Sequence, residues 1–291
     1  MSSKAFSPAH ITGFFTLPSE ERELGDRSVN DIPIGSRGAG FSVSLGVTAK
    51  AEVGGKSWNI KVDGEETSFL TVEKTVRQFA EGGTIELETG LPFSQGFGLS
   101  GACALAAGTA VLEDLNEDLE RALTAAHKSE IFCRTGMGDV LGQYHGGFEI
   151  RVKEGLPPEG DFRTENIEKE VVLAVAGEPL STPDVLRDPM MTSWINAIGG
   201  DVMDDFLPED GFDRFLESSS RFAEETDFIK GGVKSLLEAG NEAGEGSMAM
   251  IGNAVFFFGD AEELKELFED EVGEENVYLS SIDNEGVRIV E

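Results

Sequence analysis

The chain has 291 residues, 40% of them apolar and 27% charged, enough to close one large core or two medium ones and too apolar for a disordered tail. Its 55 acidic and 23 basic residues leave a net charge of -32, which repels nucleic acid and anionic membranes. Two cysteines, Cys103 and Cys133, and three scattered histidines, His10, His127 and His145, form neither a disulfide framework nor the usual structural zinc pattern.

Taken in chain order, Ile11 to Phe15 is apolar and predicts a first strand. A polar loop follows from Pro18 to Pro33, and Gly35-Ser-Arg-Gly-Ala-Gly40 is a glycine turn feeding an alternating strand, Phe41 to Ala51. Trp58 to Val62 and Thr84 to Glu88 are short strands, with a short helix at Lys74 to Glu81 between them. After Pro92 the pattern is helical to Leu115, and a second helix spans about Asp118 to Phe132. Thr135-Gly-Met-Gly-Asp-Val140 is a glycine-rich turn leading into the strand Gly147 to Val152. The segment Glu154 to Gly160 reads as a connection between domains, so residues 1–160 and 161–291 are expected to form two α+β units. Beyond it lie a buried strand at Glu170 to Ala176 and helices near Pro183 to Ala197, Phe212 to Glu225 and Phe228 to Ala239. A strand region at Met248 to Phe258, a helix at Ala261 to Asp270 and a closing strand pair at Val277 to Val290 complete the series.

The charge is unevenly spread. Residues from Thr89 to Leu112 carry none, and Arg121 to Gly138 is net positive through Arg121, Lys128 and Arg134 against Glu130. Burial of a helix accounts for part of that gap; the approach of an anionic ligand is the sharper explanation. The apolar run from Leu99 is well short of the roughly 20 residues that span a bilayer. Met1 to Phe6 has no apolar signal core, so a reduced cytoplasm is the expected compartment. So acidic a composition also suits concentrated salt, where a Debye length of roughly 3 Å relieves repulsion between surface carboxylates.

The most informative segment is Pro92-Phe-Ser94-Gln95-Gly96-Phe97-Gly98-Leu99-Ser100-Gly101-Ala102. Its glycines allow a tight turn with inward amides, and a helix start supplies free N–H groups and a positive dipole end, together a phosphate cradle. A glycine-rich cap without ligand is the bland alternative. Gly96-x-Gly98-x-x-Gly101 also fits a dinucleotide fingerprint, but it lies far into the chain and a loop separates it from the preceding strand. Gly55-Lys56-Ser57 lacks the upstream glycine of a Walker loop.

The segment closely resembles the phosphate loop of GHMP kinases, usually Pro, three residues and then Gly-Leu-Gly-Ser-Ser-Ala-Ala. It keeps Pro92, Gly96, Gly98, Ser100 and Ala102 and departs at Phe97, Leu99 and Gly101. Pro8-Ala-His10-Ile-Thr-Gly-Phe-Phe15 stands where the family has its first motif, with His10 in place of the usual Lys or Arg, and Gly246-Ser-Met-Ala-Met-Ile-Gly252 resembles the third. With Gly35-Ser36-Arg37-Gly-Ala-Gly40 and Arg134-Thr-Gly-Met-Gly-Asp-Val140, the series resembles the archaeal pantoate kinase branch and spans nearly the whole chain.

The resemblance implies an α+β fold of two domains, an N-terminal mixed α/β domain holding the loop and a C-terminal ferredoxin-like α+β domain. It also implies ATP as co-substrate, Mg2+, and phosphorylation of pantoate on the route to coenzyme A. Residues 92 and 94–101 would hold the nucleotide. Ser100, alternatively a simple N-cap, and Glu130 would hold the metal. Asp139 would serve as base or as orienter of the substrate hydroxyl; a turn-forming Asp is the alternative. His10 and His127, the latter one helical turn before Glu130, are candidate substrate contacts. Pantoate carries a carboxylate, which calls for a two-pronged cation: Arg151 and Arg37 are the candidates, with Ser36, Arg134 and Thr182 as weaker contacts. Surface salt pairing is the alternative for each arginine. Another GHMP kinase, of mevalonate or homoserine type, and a non-catalytic nucleotide or metabolite sensor on the same fold remain open, as does a homodimer.

Overall fold

A computed structural model of the protein describes residues 2–18, 35–178 and 188–291. The frame of the N-terminal half is a mixed sheet ordered β12-β1-β2-β5-β3-β4, with β6 pairing the other end of β2 and β7 pairing β6. Its strands are β1 (Ser3–Thr16), β2 (Arg37–Val53), β3 (Trp58–Val62), β4 (Glu65–Glu66), β5 (Gly83–Thr89), β6 (Phe148–Lys153), β7 (Asp161–Glu165) and β12 (Arg288–Val290). Strands β1 and β2 run antiparallel along their length, from Ser3 opposite Ala51 to Thr16 opposite Arg37.

Helix α1 (Leu70–Val76), helix α2 (Leu99–Asp114), helix α3 (Arg121–Cys133) and helix α4 (Asp139–His145) belong to this half. Thirteen of the 16 residues of α2 are buried, and most are Ala, Gly, Ser or Thr, so the backbone lies close against β1 and β2. Burial therefore accounts for the missing charge from Leu99 onward.

The second sheet is antiparallel in the order β11-β8-β10-β9, built from β8 (Glu170–Val175), β9 (Gly244–Met248), β10 (Ala254–Gly259) and β11 (Val277–Ser281). Helices α5 (Pro189–Phe206), α6 (Phe212–Glu225) and α7 (Gly231–Gly240) lie between β8 and β9, and α8 (Ala261–Val272) lies between β10 and β11. Numbered within this unit, the strand order is 4-1-3-2, that of the ferredoxin-like fold. The expected α+β architecture is thus present. Strand pairing crosses residue 160: β7 extends the large sheet beside β6, and β12 pairs with β1 at Lys4 to Phe6.

Phenylalanines join the two sheets into one core. Phe41 of β2 meets Phe212 and Phe215 of α6 and Phe256 and Phe258 of β10, with ring centroids 5.2 to 6.4 Å apart. Phe14 of β1 packs edge-on against Phe206 of α5, and Phe148 of β6 against Phe212. Such pairs add about 0.5–1.5 kcal/mol each beyond the area they bury.

Several predicted boundaries shift. The helix expected at Lys74 to Glu81 lies at Leu70–Val76, entered through Phe69, which offers no side-chain cap. The Asp139 turn continues as α4. The closing strands do not pair with each other: β11 joins β8 and β12 joins β1.

Candidate active site

The loop from Pro92 to Gly98 is left-handed at alternate residues, with φ of 61° at Ser94, 90° at Gly96 and 61° at Gly98. Alternation of this kind turns successive amides to one side and forms an anion-binding nest. Gly98 caps α2, and the first intrahelical bond runs from the Ala102 amide to the Gly98 carbonyl at 3.1 Å. The amides ahead of it therefore have no helical partner, and the first turn holds no acidic residue. Ser100 lies inside the helix rather than at its cap, which removes the capping alternative.

Both halves of the chain hold the loop. The His10 amide donates to the Phe97 carbonyl at 3.0 Å and Gln143 donates to the Gly98 carbonyl at 2.8 Å. From the other half, Gly177 accepts from Gln95 Nε2 at 3.0 Å, and a β-carbon at Gly96 would lie 2.7 Å from the Ala249 carbonyl oxygen. The predicted third motif forms β9 and the turn after it, where Gly252 abuts Gln95 so closely that a β-carbon would lie 2.1 Å from its carbonyl.

The loop forms part of the wall of a cavity of about 370 Å³ shared with Thr12, Ser36, Thr135, Asp139, Arg151 and Met250. Behind Ser100 lies Glu130, 2% exposed, whose Oε1 accepts from the Ser100 hydroxyl at 2.6 Å and from Thr135 at 2.7 Å. Burial pushes the Glu130 carboxyl up to about 7, against the pull of these two hydroxyls.

Asp139 opens α4. Its Oδ1 accepts from Thr12 at 3.2 Å and lies 3.1 Å from His10 Nδ1. Burial raises its pKa, but the hydrogen bond and charge of His10, the charge of Arg151 and the Thr12 hydroxyl outweigh that and hold it below the ordinary carboxylate value. Burial drives the His10 pKa down, with Arg151 acting in the same sense and Asp139 opposing.

Gly136 lies between the two acids. A β-carbon there would sit 2.4 Å from Glu130 Oε2 and 3.1 Å from Asp139 Oδ2, so the missing side chain leaves a cradle with a carboxylate oxygen on each side. A hard cation fits this donor set: Mg2+ takes one or two protein oxygens and completes its shell with phosphate and water. Ser100 spends its proton on Glu130 and keeps lone pairs for such an ion.

Arg151, 2% exposed, is the cation of the described cavity wall; burial lowers its pKa to about 10, so it is charged at neutral pH. Ser36 and the Arg151 guanidinium both close on Gly138, where a β-carbon would lie 2.4 Å from Ser36 Oγ and 2.6 Å from Arg151 Nε. The described wall includes neither Arg37 nor His127. Arg37 Nε donates to the Val152 carbonyl at 3.1 Å and its Nη2 lies 3.9 Å from Asp204. His127 is buried within α3, and Arg134 ends that helix with a φ of 58°. Thr182 lies outside the described residues.

A pantoate kinase of Thermococcus kodakarensis is 31% identical over 289 residues, covering 93% of each chain. The chain belongs to the pantoate kinase family. A second pantoate kinase, from Methanocaldococcus jannaschii, is 29% identical and covers 90% of this chain and 94% of its own. Residues 68–147 match the family described as GHMP kinases N terminal domain. The solved structure of a phosphotransferase related to the coenzyme A biosynthesis pathway superposes with a TM-score of 0.82 at 26% identity, covering 100% of this chain and 99% of the other. A mevalonate kinase structure, at a TM-score of 0.66 and 13% identity, shares the fold.

The candidate site holds residues that the sequence did not single out. Thr12 and Thr135 ride on motifs recognised for other residues, and Gln143 lies on a helix too short to show a period. Glu149 had a signal: with Arg151 it puts two charges on one face of a strand whose other face, Phe148 and Ile150, is apolar.

Proposed function

We propose that the chain transfers the terminal phosphoryl group of ATP to a hydroxyl of pantoate, giving 4-phosphopantoate. The reading is carried by one observation: the Glu130 and Asp139 carboxylates converge on Gly136, beside Ser100 and within reach of the loop that would hold the phosphates. Family membership supports the same acceptor.

Mg2+, when bound at Ser100 and Glu130, would supply charge neutralisation across the phosphates. Loop amides and the start of α2 bind and orient the anionic tail. Asp139 Oδ1 is occupied by Thr12 and His10, which turns Oδ2 toward the cradle and the acceptor hydroxyl. A carboxylate held below its ordinary pKa is a weak proton store. It therefore orients the hydroxyl and takes its proton late, as the bond to phosphorus forms, which suits a loose transfer. Arg151 meets the carboxylate of pantoate, and Ser36 adds a hydroxyl beside it. The archaeal route to coenzyme A, a cytoplasmic setting, salt adaptation and a homodimer belong to the same proposal. Among the described residues no helix is long and apolar enough to cross a membrane.

A coupled assay of ADP release in molar KCl, with pantoate, mevalonate and homoserine compared, tests the acceptor. Pantoate should give the highest kcat/KM by orders of magnitude; equal or greater turnover of either rival overturns the assignment.

A further inference from the structure

Glu149 is fully buried in β6, opposite Gly40 of β2, and has no role in the chemistry above. Both its oxygens are engaged. Oε2 lies 2.9 Å from His10 Nε2, and Oε1 accepts from Arg151 Nη1. Since the other nitrogen of the ring faces Asp139, an unbroken chain runs from the partly exposed Asp139 through the buried His10 and Glu149 to Arg151. Carboxylates cannot donate, so both imidazole contacts are hydrogen bonds only if two protons lie in them, one on each side of the ring.

Two glycines hold this ring in place. A β-carbon at Gly40 would lie 2.7 Å from His10 Cε1, and one at Gly142 would lie 2.6 Å from Cδ2 and 3.2 Å from the Glu149 carboxyl carbon. Only bare backbone on both sides leaves room for the imidazole and fixes its plane. Stability alone explains such a chain poorly, because buried ion networks gain little over apolar packing of the same volume.

We propose that Glu149 is a positioning residue of the transfer site: through His10 it aims the Asp139 carboxylate, and through Arg151 it aims the cation facing the acceptor's carboxylate. The inference rests on the kinase reading given above. It requires that His10 act as a strut between two carboxylates and not as a substrate contact.

The test is Glu149→Gln, His10→Gln and the double variant, read by ADP release and by proton NMR of the imidazole N–H signals. Glu149→Gln should lower kcat by about 10- to 100-fold, by analogy with removal of the carboxylate that orients a metal-ligating histidine. The Michaelis constant for pantoate should rise while that for ATP stays within about twofold of wild type, because Arg151 loses its partner and the phosphate loop does not. The double variant should be no slower than the slower single variant, since one strut acts through the other. At a pH low enough to charge the ring, wild-type protein should show two strongly deshielded N–H protons that both vanish in His10→Gln, one of them shifting in Glu149→Gln. A wild-type kcat in folded Glu149→Gln, or losses that multiply in the double variant, would overturn the proposal. If Glu149→Gln fails to fold, Glu149→Asp, which keeps the charge and shortens its reach, is read against the same expectations. Wild-type protein inactive on pantoate would sink the acceptor assignment alone; the NMR signals then decide the positioning.

Discussion

Replacing Glu130 by Gln should make the metal-free protein more stable while disabling it. The wild-type carboxyl is 2% exposed and its pKa is pushed from the ordinary 4.5 to about 7. That difference corresponds to about 3 kcal/mol of opposition to ionisation in the fold. The sign follows from the direction of the shift. Below about pH 4.5 the group is protonated whether folded or unfolded and contributes nothing; above about 7 it is ionised in both states and the folded one bears the buried charge. Stability is therefore lost as pH rises through that window. Gln keeps an acceptor oxygen for Ser100 and Thr135 and cannot ionise, so the variant should lack this loss. Guanidinium denaturation in EDTA at pH 4.5 and pH 8 should show the variant gaining about 3 kcal/mol on wild type between them, the surface charge being common to both. Mg2+ binds the ionised carboxylate, so adding it should close most of the gap for wild type alone. An equal difference at both pH values, or a variant less stable at pH 8, would refute the reasoning.

Asp139→Asn should lose about 10²- to 10⁴-fold in kcat with ATP affinity retained by calorimetry, because the amide keeps the shape but neither accepts the proton nor carries the charge. Gly136→Ala should abolish metal-dependent turnover, since its methyl would lie 2.4 Å from Glu130 Oε2; unchanged metal dependence would remove the cradle from the mechanism. Arg151→Ala should raise the Michaelis constant for pantoate far more than that for ATP, whereas an equal rise would assign it to the fold. The thermal midpoint should climb as KCl approaches molar concentration while ATP affinity persists, because buried amides are screened less than exposed carboxylates; a flat midpoint would sink the salt reading.

The legible parts of this chain were those whose cause is local. The loop from Pro92 to Ala102 announces itself because its backbone needs φ of 90° at Gly96 and 61° at Gly98, which glycine supplies freely. Strand β3 and helix α6 were read at their true bounds, since apolar residues and turn signals bracket them closely. Illegible were the features created by distant partners. Nothing near Arg288 says that its strand will pair with Phe6, and helix α4 has only seven residues in which to show a period. Arg37 and Arg151 are alike as arginines after a glycine turn and along a strand. Only the fold decides that one turns to Val152 and Asp204 and the other into the cavity.

The placement of β1 also bears on the birth of the protein. This strand carries His10 and Thr12, yet part of its outer edge is covered by β12, and the Thr12 carbonyl receives the Met250 amide at 3.1 Å. At 5–20 residues per second, about 15 to 60 s separate the emergence of β1 from that of its covering strand on the ribosome. For that interval the nascent chain presents an apolar strand edge, a template for mispairing with its neighbours on a polysome. The net charge of -32 then keeps unfinished chains apart.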